Sequence, residues 1–150
     1  MNKNRKIISW LILLIWMGII FFMSHQPGDV SNNQSELVIK IFQFLGIELN
    51  QYFGELATFI VRKTAHFSEY FILFLCAYNV SKIYFTNRKA RIYAIIFVFL
   101  YACSDEFHQH FIPGRNMAFK DVLIDTSGGF FACLITRIVE IVKSKKNSRL

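Results

Sequence analysis

A chain of 150 residues has room for one domain. With 54% hydrophobic and 18% charged residues it lies at the apolar end for a water-soluble domain, so membrane spans are sought before a soluble core. The formal charge of +7 invites a nucleic-acid partner, but the basic residues are placed in a way that argues for another origin.

Taken in chain order, the first apolar run, IISWLILLIWMGIIFFM (residues 7–23), has no charge and follows Lys3, Arg5 and Lys6. The string after it, SHQPGD, has no small-x-small cleavage site, so the run is read as an uncleaved first helix and not a signal peptide. A long connection follows over residues 24–55, opening with a turn at Pro27 and Gly28. Ser31 and Asn32 are expected to cap a short helix on which Leu37, Val38, Ile41, Phe44 and Leu45 recur at helical spacing, opposite Glu36, Lys40 and Gln43. Such a helix suits the membrane interface or a lid over the bundle, and a soluble loop helix packed on the bundle ends is the other reading. Three more spans are expected at about 57–80, 90–107 and 122–142.

The expected fold is therefore all-α: a polytopic four-transmembrane-helix bundle in one membrane domain over 1–150, with a short amphipathic helix in the first outer loop. Twelve of the seventeen Lys and Arg fall at the N-terminus, around the second loop (Lys82, Arg88, Lys89, Arg91) and at the C-terminal end, Arg149 included. With four spans these segments share one side, which puts both termini in the cytoplasm of a multi-pass protein. The basic excess is thus a topology signal, and nucleic acid is not an expected partner. Cys76, Cys103 and Cys133 fall one per span and are read as small packing residues, without a disulfide framework or metal.

The spans carry charges that a bilayer disfavours. In LATFIVRKTAHFSEYFILFLCAYNV, residues Arg62, His66 and Glu69 share one helical face, flanked by Lys63 and Tyr70. The third span runs into SDEFHQHFIPGR; Tyr101, just before that string, stacks with Asp105 and Gln109 at four-residue intervals beside Glu106. The fourth opens with Asp121 and Asp125, and Gly128, Ala132 and Thr136 continue their stripe with small side chains that let another helix approach. Between the last two spans, Pro113 and Gly114 form a turn able to aim Arg115 back over the bundle. In an antiparallel bundle these segments meet at the outer end. A charge at membrane depth costs about 2.5 kcal/mol or more, so a group of them is expected to face inward as one polar pocket.

The same residues also read as ion pairs fixing helix register: Arg62 or Lys63 with Glu69, and Arg115 with Asp121 or Asp125. His108 and His110 are expected at the solvated surface. His66, Glu69, Asp105 and Glu106 offer mixed ligands for a metal, but H-x-x-E alone is a weak signal and neither metal nor cofactor is expected. No phosphate loop, G-x-S-x-G elbow or Cys-His nucleophile pattern is present.

The strings SHQPGDVSNNQS, KTAHFSEY, SDEFHQHFIPGR and KDVLIDTSGG, in this order, resemble the VanZ-like family of small bacterial membrane proteins over essentially the whole chain. The resemblance places the family's recurrent polar residues on His66, Glu69, Asp105, Glu106, Gln109, Arg115, Asp121 and Asp125; at the last the family often carries Asn. The founding member is associated with resistance to the glycopeptide teicoplanin, so the resemblance implies a role in the bacterial cell envelope, at the cytoplasmic membrane.

Three functions remain open on the sequence. The first is a pocket engaging an envelope lipid or lipid-linked precursor. Arg62, Lys63 and Arg115 would hold an anionic headgroup, with Gln109, Asp121 and Asp125 among the ligand-binding residues. The second is an intramembrane acid/base enzyme with His66, Glu69, Asp105 and Glu106 as its catalytic set. The third is a structural or partner-binding membrane subunit.

Overall fold

The structure, a computed structural model, describes residues 3–147. In chain order they form α1 (Lys3–Ser24), α2 (Gly28–Phe44), α3 (Leu49–Phe53), a 3-10 turn (Gly54–Leu56), α4 (Ala57–Ser81), α5 (Asn87–Gln109) and α6 (Phe119–Asn147). Among the described residues there is no strand, so the chain has the all-helical class expected of it. Arg149 of the basic C-terminal group lies outside the described residues.

Helix α4 is the hub, packed on α1, α2, α5 and α6, while α5 also packs on α6. The pattern of small and large side chains explains this. Ala90, Ala94, Val98 and Ala102 put one short buried residue on every turn of α5, and Tyr70, Leu73, Phe74 and Ala77 of α4 fill the space they leave. Helix direction follows from contacts at one end of the bundle. Asn79 near the end of α4 donates to Ser9 Oγ near the start of α1 at 3.1 Å, and Asn87 at the start of α5 donates to Glu140 late in α6 at 2.6 Å. Thus α4 and α6 run the same way, against α1 and α5. The three cysteines are free and half-buried, packed against the core as expected.

The closest helix contact is between α4 and α6. A Cβ on Gly128 would sit 2.2 Å from the backbone carbonyl oxygen of Phe67, so only glycine allows the two backbones this near. Gly129, one residue on, turns toward Val98 of α5, whose Cγ1 would lie 2.8 Å from an added Cβ. The Gly128–Gly129 pair is therefore where α6 fits between two neighbours.

Polarity is arranged inside out. Leu14, Ile15 and Phe22 of α1, Leu100 of α5, and Phe130 and Val142 of α6 are each more than half exposed, whereas Asp105, Glu106, Gln109 and Asp125 are at most 5% exposed. A soluble monomer exposes its apolar surface in patches of about 300–600 Å² at most, not along the flanks of whole helices. By length and composition α1 and α6 can cross a bilayer. The inward-facing charges of α4 and α5, Arg62, Glu69, Asp105 and Glu106 among them, lower the mean hydropathy of those two helices. Apolar flanks, an ionisable interior and two helices able to span indicate a membrane protein.

One expectation fails at α2. Ser31 and Asn32 do not cap it, because the helix begins three residues earlier at Gly28, after Pro27 at φ −53° and ψ 154°. The reason is a distant partner: Gly28 N–H donates to Pro113 O at 3.0 Å, which satisfies a helix-start donor that a side chain would otherwise cap. Ser31 instead turns inward and is buried.

Replacing Gly128 by Ala is expected to destabilise the bundle by about 1–3 kcal/mol, the usual cost of forcing extra volume into a packed contact. Thermal unfolding of the purified protein in detergent reads this. Gly18→Ala, whose added Cβ meets nothing within 4 Å, is the matched control and leaves the midpoint in place or raises it, since alanine is the better helix former.

Candidate functional site

The turn after α5 positions the first functional side chain. Ile112 N–H donates to Gln109 O at 3.0 Å, Arg115 N–H donates to Ile112 O at 3.1 Å, and Gly114 supplies the positive φ of 72° that the reversal requires. Gly28 lets this turn lie on the start of α2, since a Cβ there would be 2.2 Å from Gly114 O. Arg115 is thereby folded over the end of α1. Its Nε donates to Gln26 O at 2.9 Å and its Nη2 to Met23 O at 3.1 Å, a cation on carbonyls at and just beyond the end of α1, where a helix terminus is electronegative. Arg115 is 7% exposed, and its Nη1 is buried without a hydrogen-bond partner among the described residues. Burial, and then the neighbouring Arg62, push the guanidinium below its ordinary value, although an arginine stays charged in proteins.

The parallel contact of α4 with α6 sets two further pairs, both on the N-terminal side of the Gly128 contact. Lys63 Nζ lies 2.5 Å from Asp121 Oδ1, and His66 Nδ1 lies 3.2 Å from Asp125 Oδ1. The second pair is close enough for an ion pair but poorly angled, so neither Asp125 oxygen has a well-formed hydrogen bond, although the residue is fully buried. On α5, Gln109 Nε2 donates to Asp105 Oδ2 at 3.0 Å. Glu106 Oε2 accepts from Ala118 N–H at 3.0 Å, just before α6 starts, where a carboxylate suits the helix N-terminus.

These groups surround a cavity of about 120 Å³. Arg62, His66 and Glu69 of α4, Asp105 of α5 and Arg115 line its bundle side. Ser24 at the end of α1, with Ser31, Gln34 and Ser35 of α2, lines the other. The cavity thus presents two guanidinium groups, two carboxyls, an imidazole and several hydroxyls. Sites for drug-sized ligands occupy about 300–1,000 Å³, so this one fits a headgroup-sized ion. Arg62 Nε, like Arg115 Nη1, is buried there without a hydrogen-bond partner among the described residues.

The candidate residues therefore divide. Arg62, His66, Glu69, Asp105 and Arg115 face one space, while Lys63, Asp121 and Asp125 form pairs between α4 and α6, Gln109 holds Asp105, and Glu106 anchors the start of α6. The ion pairs imagined for Arg115 do not form: among the described residues Asp121 pairs with Lys63 and Asp125 with His66. Nor does Glu69 pair with Arg62 or Lys63. His110 is exposed as expected, but His108 is partly buried, with its Nε2 3.1 Å from His25 Nδ1 and its ring 4.7 Å from that of Phe21. No group of three or more His, Cys, Asp or Glu among the described residues is placed to hold a metal ion. The serines of α2 were not foreseen; Ser31 and Ser35, four apart, are a polar stripe that could have shown them.

If the Lys63–Asp121 pair is structural, its energetics are those of a mostly buried ion pair. Lys63→Met alone is expected to destabilise by about 3 kcal/mol, because it strands a carboxylate, and Asp121→Leu added to it restores most of the loss. A double-mutant cycle on thermal unfolding in detergent measures this coupling.

No curated protein and no solved structure matches the chain. The family described as VanZ/LLP1 matches it over residues 9–140, a stretch that contains every side chain lining the cavity and both faces of the α4–α6 contact. The chain belongs to the VanZ/LLP1 family.

Proposed function

We propose that this VanZ/LLP1 protein is a four-span protein of the bacterial cytoplasmic membrane whose outward cavity engages the anionic headgroup of an envelope lipid or lipid-linked precursor. Through that ligand it would influence susceptibility to glycopeptides such as teicoplanin. The observation that carries the reading is the pair of buried, unpartnered guanidinium nitrogens, Arg62 Nε and Arg115 Nη1, at one small cavity. Leaving a buried donor unsatisfied costs about 1–3 kcal/mol, so two in one place favour a missing acceptor. Guanidinium groups suit phosphate or carboxylate oxygens.

Topology supports the same reading. The starts of α1 and α5 and the ends of α4 and α6 share one end of the bundle, where Lys6, Lys82, Arg88, Lys89 and Lys143 gather, and the cavity lies toward the other. With the basic end cytoplasmic, the cavity opens to the outer leaflet. Helix α2 then lies at the interface, with Ser31 and Ser35 turned inward and Leu37, Ile41 and Phe44 exposed at 60%, 52% and 90%.

A second reading, acid/base catalysis on a bound lipid, is favoured by one observation: the buried carboxylate of Asp125 lies 3.2 Å from His66 Nδ1, beside Glu69, so a small rotation of the imidazole would align the two as a carboxylate–imidazole pair.

Two outcomes are expected. In a background without native cysteines, Gln51→Cys reacts with a membrane-impermeant maleimide on intact cells and Thr86→Cys does not; labelling at position 86 sinks the topology. Arg62→Gln, which breaks no hydrogen bond, lowers the amount of anionic lipid co-purifying with the protein about tenfold while stability stays within about 0.5 kcal/mol. Mass spectrometry of the extracted lipid and thermal unfolding read the two arms. His66→Gln sorts the readings: loss of cellular phenotype with lipid retained favours the enzyme, and loss of both together favours binding.

A further inference from the structure

Beside the polar cavity lies a second space of about 350 Å³, a groove between α2, α3 and the first half of α4. Its walls are apolar, with Phe42 of α2, Phe53 of α3 and Ile60 of α4 among the side chains that line it. Val38, Val61 and Ala65 line both spaces, so the groove and the cavity adjoin across three shared side chains. One half carries two arginines with buried, unpartnered nitrogens and the other carries hydrocarbon. The pairing matches the two halves of an amphiphile.

Resting on the headgroup reading above, we propose that the groove holds the hydrocarbon chain of the same membrane lipid whose anionic headgroup sits between Arg62 and Arg115. Helix α2 is then a clamp across the join, with Val38 against the chain and Ser31 and Ser35 against the headgroup. A chain leaving lipid for a protein groove gains little from the hydrophobic effect, because both surroundings are apolar. The groove therefore contributes selection and not bulk affinity: it accepts a lipid whose chain leaves the headgroup at the right angle, and the arginines supply the attraction. A free phosphate would use the cavity alone and leave the groove without a role.

The test uses the full chain in phosphatidylcholine nanodiscs and hexadecyl phosphate carrying a diazirine midway along its chain. Cross-links are expected on the segment from Val38 to Ser68, competed by unlabelled hexadecyl phosphate and not by hexadecanol. They fall about tenfold in Arg62→Gln, the loss of one charged hydrogen bond. They fall similarly in Thr64→Trp, which fills the groove from an exposed position without lining the cavity. Butyl phosphate, followed by phosphorus NMR, still binds Thr64→Trp. Cross-links spread over the outward faces of α1 and α6, with butyl phosphate still bound through Arg62, overturn the groove and leave the headgroup reading standing. Inorganic phosphate competing as well as hexadecyl phosphate makes free phosphate the ligand and also overturns the groove. Failure of every phosphate to bind in an Arg62-dependent way removes both proposals.

Discussion

The backbone-to-backbone approach of α4 and α6 at Phe67 and Gly128 is the contact on which the polar interior depends. Because the helices run parallel, the contact sets one register for both. One turn before Gly128 stands Asp125, one residue before Phe67 stands His66, and a further turn back Lys63 meets Asp121. A bulkier residue at the contact would separate the helices and lengthen both charge pairs together. The lost attraction would not be recovered from water, because apolar side chains coat the outer faces. Small residues in α5 perform the same service on the other flank, where Asp105 reaches the cavity and Glu106 reaches the start of α6.

Charges held inside an apolar coat must each be answered, and the structure answers them unequally. Asp121 has an ammonium, Glu106 has a backbone N–H at the start of a helix, Asp105 has a carboxamide, and two donors of Arg115 have carbonyls at the end of α1. Each of these interactions is consistent with holding the fold. What they leave over around the small space is one nitrogen of Arg62 and the third donor site of Arg115; the buried His66–Asp125 pair and one oxygen of Glu106 also lack a hydrogen-bond partner among the described residues. Apolar residues of similar volume would pack these positions at a lower desolvation cost, so retaining them uncompensated needs a reason beyond packing. Among the cations of α4, the distinction between answered and unanswered charge separates framework from site. By that measure Lys63 is framework and Arg62, its neighbour in sequence, is site.

Helical class and the inward gathering of charge were legible because both are periodic. Arg62, His66 and Glu69 share a face of α4 whatever surrounds them, and an apolar exterior leaves that face only one direction to turn. Partners were less legible. Arg115 was set against Asp121 or Asp125 because opposite charges are visible in a sequence, whereas its actual acceptors, Met23 O and Gln26 O, are backbone atoms that every residue has. The start of α2 was misplaced for a related reason, since its first N–H is satisfied by Pro113 O, 85 positions away along the chain. The serines of α2 were hidden by chemistry that local rules assign to caps. Only the approach of α2 to α4 converts Ser31 and Ser35 from helix-start residues into part of a lining.

The position of α2 bears on how any ligand arrives. It closes the cavity from outside the bundle, yet its buried face consists of Gly28, Ser31, Ser35 and Ile39, and only the last is a large apolar residue. A face so poor in buried hydrocarbon holds weakly: burying a serine releases little apolar surface, while a Leu or Ile in its place would contribute about 1.5–3 kcal/mol. Its N-terminus is better fixed, by the Gly28–Pro113 hydrogen bond and by the seat of Gly28 on Gly114. A helix pinned at one end and lightly packed along its length is suited to swing about the pinned end. The pin lies beside Arg115, so such a motion would open the side of the cavity nearest Val38 and Val61 while leaving the arginine in place. That side is also where the apolar groove begins. On the headgroup reading proposed above, a lipid passing this side of α2 would enter from the membrane, where the groove begins.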